Sequence, residues 1–248
     1  MGRGVICKGD KPAQEVAATM GIIGHGYGSE FHLLRYLGRH RHDLNQAVEE
    51  QTGGRVLDWL DCGFDQARRF PHLDTEWRGV DFVDQDTDVR SDWSKFWPQT
   101  GNVPNWDAVG LLQSSSYVEF LLVEAKAHSA EIQSECTAVE AGGLAMIRQA
   151  LGETIAANGF ASNAENWLRP YYQHANRLAQ LHFLRQHNVP ARLLFIYFLG
   201  DGFPEEKKKV CPKSKEEWGL CLQPVYSHLG LTGKSDLEKR VHNLFLQV

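Results

Sequence analysis

The sequence has no long apolar run, no leader-like start and no paired-cysteine motif. None of its apolar stretches approaches the ~18 residues that a membrane-spanning helix needs, so we expect no transmembrane segment. The first residues carry no apolar run after their few basic ones, which predicts no secretory signal. The five cysteines are odd in number and form no C-x-x-C pair, and this pattern favours a reduced, cytoplasmic protein.

The chain also lacks an excess of basic charge, internal repeats and low-complexity linkers. Its formal net charge is −5, which argues against a surface coated in positive potential for nucleic acid. Basic side chains nevertheless cluster locally between Arg35 and His42 and again at Lys207 to Lys209. With 248 residues, of which 42% are hydrophobic, the chain is long enough to bury the core of one large α/β domain.

Two apolar runs of strand length, at residues 105–112 and 117–126, are separated by a serine-rich stretch. This pattern predicts an antiparallel hairpin. If the last two serines form the turn, Asp107 lies directly opposite Glu124. Successive side chains on a strand alternate between faces, so Lys126 projects from the same face as Glu124. An Asp, a Glu and a Lys are therefore predicted to converge at one end of the hairpin.

Two carboxylates at the end of an apolar sheet repel each other, so the pKa of at least one must rise unless a cation offsets the repulsion. Mg²⁺ is a hard ion that takes one or two carboxylates and a carbonyl, and it accepts phosphate oxygens. A neighbouring ammonium could orient a water or neutralise charge on a phosphate. The alternative is that Glu124 and Lys126 form a solvated charge pair, but the apolar run before them is typical of a buried central strand.

Asp107 and the triplet Glu124-Ala125-Lys126 resemble the signature of the PD-(D/E)XK nuclease superfamily. That signature has an Asp at the start of one strand and Glu-x-Lys near the end of the next. The resemblance implies that Asp107, Glu124 and the Ala125 carbonyl bind Mg²⁺ or Mn²⁺, and that Lys126 serves the attacking water.

A first amphipathic helix is predicted from Ser29, as its N-cap, to Gly53, which ends it. Glu30 precedes Leu33 and Leu34 by three and four residues, and this spacing predicts that Glu30 lies on the inward side. In the superfamily an acidic residue of the first helix often joins the metal site, so the resemblance implies that role for Glu30. The alternative is a favourable carboxylate at the positive end of the helix dipole.

A later helix is predicted from Pro170, at its first position, to about His187. Its polar face carries Gln173 and Arg177. In some branches of the superfamily a Gln followed four residues later by Tyr marks the helix beside the active site. Gln173 matches the Gln, which makes it a site candidate, while Arg177 stands where the Tyr would be.

The order of elements predicts an α/β fold: a restriction-endonuclease-like core of αβββαβ order, with a mixed central sheet flanked by helices. The first strand is expected within residues 55–97 and the last at residues 192–199. A final helix is expected from about Ser235 to Leu246. The predicted units are a loose N-terminal arm at residues 1–28, the nuclease-like core at 29–200 and a C-terminal appendage at 201–248.

Together these features predict a metal-dependent nuclease that hydrolyses phosphodiesters of DNA or RNA and has no membrane partner. Two alternatives remain: a non-catalytic nucleic-acid-binding or structural protein on the same scaffold, and a metal hydrolase of a small molecule, which the net negative charge favours. The dense tryptophans would suit unpaired bases, or else they pack beneath irregular loops. The sequence leaves open whether the chain is a monomer or a homodimer.

Overall fold

The computed structural model describes residues 26–60, 76–83, 87–101, 103–202 and 209–248. Most of the predicted N-terminal arm therefore lies outside the described residues. In chain order the elements are α1 Ser29–Gly38, α2 Arg41–Thr52, β1 Arg55–Trp59, β2 Trp77–Arg78, α3 Thr87–Phe96, β3 Asn105–Trp106, β4 Ala108–Gln113, β5 Val118–Lys126, α4 Leu144–Asn158, α5 Ala164–Trp167, α6 Tyr172–Gln186, β6 Ala191–Leu199, α7 Lys215–Leu229 and β7 Val241–Gln247.

A mixed sheet of five strands, in the order β1-β4-β5-β6-β7, organises the fold. The first two pairings are antiparallel, and β6 is parallel to both β5 and β7. In the β4–β5 hairpin Ala108 faces Val123 and Leu111 faces Phe120. This is the register that the serine turn predicts, so the predicted hairpin and the α/β class are confirmed.

The two faces of the sheet pack against different helices, because neighbouring side chains on each strand point in opposite directions. On one face, Leu37 of α1 and Leu44 of α2 share a buried cluster with Val123 and Ala125. On the other face, helices α4, α6 and α7 cover the sheet, and Leu122 belongs to that second cluster. The alternation places Glu124 and Lys126 on the face covered by α4, α6 and α7.

The predicted helix from Ser29 to Gly53 is two helices, because α1 ends at Gly38 and α2 begins at Arg41. Gly53 ends the second helix in the left-handed conformation, as predicted (φ 70°). Ser29 is the first helical residue rather than the cap, and Gly28 precedes it without a capping side chain. The prediction of one continuous amphipathic helix was therefore wrong.

The predicted last helix is also wrong, because residues 241–247 form strand β7 beside β6. Leu244 and Leu246 are buried in one core cluster, while Phe245 packs against the other, so the segment has the period of a strand. A short apolar run suits either a helix or a strand, and here the open edge of β6 decides between them. The C-terminal segment thus supplies part of the central sheet as well as helix α7.

The helices before β6 follow the sequence pattern closely. Helix α4 ends at Asn158 before a left-handed Gly159, as predicted. Helix α6 begins at Tyr172, so the prediction of Pro170 at its first position misses by two residues. Among the described segments, no helix is both long and apolar enough to cross a membrane.

Candidate functional site

Asp107 lies between β3 and β4, where the chain enters the hairpin. Its backbone N–H donates to the Val123 carbonyl at 3.1 Å, which continues the antiparallel ladder by one residue. Its side-chain Oδ2 accepts a hydrogen bond of 2.7 Å from the Ala125 N–H. The Asp107 carboxylate is thereby fixed against the end of β5, next to the Glu-x-Lys triplet.

Glu124 is 1% exposed and has both carboxylate oxygens engaged. Arg177 of α6 donates to Oε2 from Nε at 2.8 Å and from Nη2 at 2.6 Å. Lys126 donates to Oε1 from its ammonium group. The same ammonium donates to Oε1 of Gln173 at 2.9 Å. The structure therefore brings together four of the five side chains expected at the site or beside it: Asp107, Glu124, Lys126 and Gln173.

Arg177 is the site residue that the sequence reasoning missed. On the polar face of α6, Asn176, Arg177 and Gln180 are all buried. Arg177 also donates to Asn176 Oδ1 at 3.0 Å, and its guanidinium lies 4.8 Å from the centre of the Trp106 ring. The signal was its spacing: a residue four positions after Gln173 shares a helix face with it.

The pKa values of the two carboxylates are shifted in opposite directions. Burial, and then the charge of Glu124, raise the pKa of Asp107 to about 7, against the opposing pull of Lys126 and Arg177. Burial also acts to raise the pKa of Glu124, but the Arg177 guanidinium and the Lys126 ammonium outweigh it, so that pKa lies below its ordinary value. At neutral pH, Glu124 is the ionised partner and Asp107 is close to its midpoint.

The cluster is almost closed to solvent. A cavity of about 10 Å³ lies among Glu124, Lys126, Gln173 and His174, which is room for one water molecule at most. Two carboxylates face two cations, so the cluster carries no excess of negative charge. Within the described ranges no three His, Cys, Asp or Glu side chains form a group that could hold a metal ion.

Glu30 does not reach this cluster, so the prediction that it faces inward was wrong. Its side chain is exposed, and helix α1 packs on the opposite face of the sheet from Glu124. The inward side of α1 instead carries Leu33 and Leu37, whereas Leu34, on the Glu30 side, is 40% exposed. The error lies in Leu34, which the prediction counted as inward although it is exposed, and Glu30 lies one turn before it on the same side of α1.

A second polar cluster ties α1 to the ends of β5 and β6. His32 is buried, and its Nε2 lies 2.8 Å from Oδ1 of Asp201. Glu131 accepts hydrogen bonds from the Ala127 N–H at 2.6 Å and the Ser29 hydroxyl at 3.2 Å. His128, which continues the chain after β5, has Nε2 3.3 Å from Glu131 Oε1. These hydrogen bonds connect the start of α1 with the segments that follow β5 and β6.

The tryptophans pack inside the protein rather than forming a platform for bases. Trp59, Trp93, Trp97 and Trp106 are each at most 3% exposed. Trp106 donates from its ring to the Gly79 carbonyl at 3.0 Å, and the Trp93 and Trp97 rings stack in parallel planes. Of the two roles considered for them, the structure supports packing for these four.

Comparison with known proteins gives no match: no family model, no curated protein and no solved structure is significantly similar to this chain.

Proposed function

We propose that this chain is a metal-dependent nuclease with a restriction-endonuclease-like core. In this proposal Asp107, Glu124 and the Ala125 carbonyl hold Mg²⁺ or Mn²⁺, and Lys126 acts on the attacking water. The observation that carries the proposal is the hairpin register, which sets Asp107 against the end of β5 beside Glu124 and Lys126. The order of elements along the chain also supports it, since helix, strand, hairpin, helices and strand is the order expected of the superfamily core.

The energetics of the cluster also support a functional role. Apolar side chains of similar volume would fill this space at equal or lower cost, because burying charges carries a desolvation penalty that pairing does not fully repay. Strongly shifted pKa values also concentrate at functional sites, because catalytic groups need pKa values matched to their task. Asp107, with its pKa raised to about 7 beside a second carboxylate, is such a group.

The donor set suits magnesium in kind, since two carboxylates and a carbonyl are hard oxygen ligands. A bound Mg²⁺ would supply charge neutralisation for the phosphodiester and lower the pKa of a coordinated water. Lys126 is held in place by Gln173 at 2.9 Å, so its ammonium is positioned to orient that water or to stabilise charge that develops on the phosphate. The two binding carboxylates and the lysine share one end of the sheet.

In the described conformation Glu124 is not open to an ion, because Arg177 donates two hydrogen bonds to one of its oxygens. Metal binding therefore requires Arg177 to give up at least part of this pairing. The freed guanidinium would remain beside the site on the Trp106 ring, where it can bind a phosphate oxygen instead. Arg177 thus exchanges one anionic partner for another.

The test is cleavage of a panel of single-stranded, flapped and duplex DNA and RNA in Mg²⁺ or Mn²⁺. We expect cleavage to stop in EDTA and to fall by on the order of 10²-fold in Lys126→Ala, as is usual when a transition-state charge partner is removed. Lys95→Ala is the matched control, because Lys95 is exposed and pairs only with Asp92 in the described structure. No cleavage of any substrate, or equal cleavage by Lys126→Ala, would contradict the assignment.

A second candidate is favoured by one observation, the closed pairing of Glu124 with Arg177 and Lys126. It is a non-catalytic nucleic-acid-binding or structural protein on the same scaffold, in which the cluster only fixes α6 against the sheet. The same panel separates the two: binding of nucleic acid without cleavage in any divalent ion supports the second candidate.

A further inference from the structure

A cleft of about 310 Å³ lies between α3, α4 and the C-terminal turns of α6. Its described lining residues include none of those around the small cavity beside Glu124 and Lys126. Along α6, Gln186 of the cleft follows Gln173 of the candidate site by more than three turns, so about 20 Å separates them. The cleft is therefore distinct from that site. Its volume falls within the range of small-molecule sites, roughly 300 to 1,000 Å³.

The charged groups of this cleft are open to solvent. Glu153 of α4 is exposed, and the side chain of Asp92 on α3 is 42% exposed. Lys95, one turn after Asp92, is 72% exposed and forms an ion pair with it at 2.7 Å. A molecule that enters the cleft from solvent therefore reaches these groups directly.

The charges of the lining residues favour a cation as ligand. Asp92 and Lys95 neutralise each other through their ion pair. Glu153 accepts a hydrogen bond at Oε1 from the uncharged Gln149 at 2.8 Å, and its Oε2 accepts none from the described residues. Burial lowers the pKa of His182, so its ring is neutral near pH 7 and does not balance Glu153. Among the described lining residues, one negative charge is therefore left without a cation.

The remainder of the cleft is largely apolar and partly aromatic. The rings of Phe96 and Phe183 lie with their centroids 5.1 Å apart, and Met146 and Ala150 of α4 complete this surface. An apolar body can pack on such a surface, and the face of an aromatic ring also attracts a cation. The flexible thioether of Met146 can adapt to the shape of the molecule.

We propose that this cleft binds a small organic monocation, in which an ammonium group pairs with Glu153 and a flat apolar body packs on Phe96 and Met146. The ammonium donates to Oε2 of Glu153 in a charge-assisted hydrogen bond. Carboxylates and phosphates are disfavoured, because the lining carries an excess of negative charge. This site goes beyond the nuclease proposal and does not depend on it, since binding is measured without any cleavage assay.

The experiment is calorimetric titration of the wild-type protein with 2-phenylethylamine near pH 7. Two matched ligands keep the same apolar body: 2-phenylethanol carries a neutral hydroxyl in place of the ammonium, and 3-phenylpropionate carries a carboxylate. We expect the amine to bind with a Kd of about 1 mM or tighter, and both matched ligands to bind at least about fivefold more weakly.

The variant Glu153→Gln should weaken binding of the amine by about fivefold, because it removes the charge while keeping the shape of the side chain. Glu50→Gln is the matched control. Glu50 is also exposed and accepts a hydrogen bond from a glutamine one turn earlier, Gln46 at 2.9 Å, but it lines no part of this cleft. Unchanged binding in Glu153→Gln, an equal loss in Glu50→Gln, or equal binding of either matched ligand would overturn the proposal.

A measurement on the wild type locates the bound amine independently of the variants. The chain has three methionines, so protein labelled with ¹³C at the methionine methyl groups gives a simple spectrum, in which Met146→Leu identifies the signal of Met146. Saturating 2-phenylethylamine should move this signal. No binding of the amine, or binding that leaves the Met146 signal in place, would overturn the assignment of the cleft as a cation site.

Discussion

The surroundings of Asp107 oppose ionisation of its carboxyl group, and the substitution Asp107→Asn tests whether this lowers the stability of the folded protein. Burial, followed by the charge of Glu124, raises the pKa of Asp107 from 3.8 to about 7. The folded protein therefore binds a proton at Asp107 more readily than the unfolded chain does. Between these two pKa values the free energy of unfolding must fall as the pH rises.

The size of the effect follows from the shift. One pKa unit corresponds to about 1.4 kcal/mol, so full ionisation of Asp107 costs the folded state roughly 4 kcal/mol, or about 2 to 4 kcal/mol once solvent screening of a half-buried group is allowed for. Asparagine is neutral at every pH and keeps an acceptor for the Ala125 N–H. Asp107→Asn should match the wild type below about pH 4, where Asp107 is protonated in both the folded and the unfolded state, and exceed its stability by about 2 to 4 kcal/mol near pH 8.

The assay is urea unfolding, followed by circular dichroism in EDTA, at a series of pH values from about 3.5 to about 8. Asp81→Asn is the control, because Asp81 is exposed and the same chemical change there should leave the pH profile unchanged. If the profile of Asp107→Asn runs parallel to that of the wild type across this range, the Asp107 carboxylate is not strained by burial, and the electrostatic support for the nuclease proposal is lost.

Three further predictions use other parts of the structure. Arg177→Met should destabilise the metal-free protein by about 3 kcal/mol, because Glu124 loses its main counter-ion. Mg²⁺ should then raise the Tm of this variant more than that of the wild type. An equal Mg²⁺ shift in both proteins would show that Arg177 does not compete with the ion. Glu30→Gln should change the free energy of unfolding by less than about 0.5 kcal/mol and leave cleavage intact, whereas a loss of cleavage would return Glu30 to the site. Glu119→Ala should cost about 3 kcal/mol in urea unfolding, because the buried Glu119 pairs with both Arg192 and Arg240, and the exposed Glu153→Ala is its matched control.

The parts of the site that depend on local geometry could be predicted from the sequence. A two-residue turn and a side-chain period of two are sufficient to set Asp107 against the end of β5 and to put Lys126 on the same face as Glu124. No knowledge of the remaining chain is needed, because the two strands are adjacent in sequence. The hairpin was therefore predicted with its correct register.

The parts that depend on distant packing could not be predicted in the same way. The hydrophobic pattern of α6 indicates which residues face a core, but not that its polar residues are covered as well, so the pairing of Arg177 with Glu124 was missed. For residues 241–247 the local pattern suits either a helix or a strand, and only the presence of β6 makes it a strand. Glu30 was misplaced because its spacing to Leu34 was read as inward, and the sequence does not show that Leu34 is left uncovered.

The charged cluster is assembled from pieces that are far apart in the chain, and this has a kinetic consequence. The hairpin supplies Asp107, Glu124 and Lys126, while Arg177 comes from a helix 53 positions after Glu124. Contacts within a hairpin are local and close quickly, whereas the docking of α6 must wait for a long loop to close. Before α6 docks, the carboxylates of Asp107 and Glu124 remain hydrated. Docking of α6 buries both carboxylates, strengthens the repulsion between them and brings Arg177 to Glu124, all in one step. The electrostatic strain at Asp107 therefore acts on the rate at which α6 leaves the sheet, and hardly at all on the rate at which the hairpin forms.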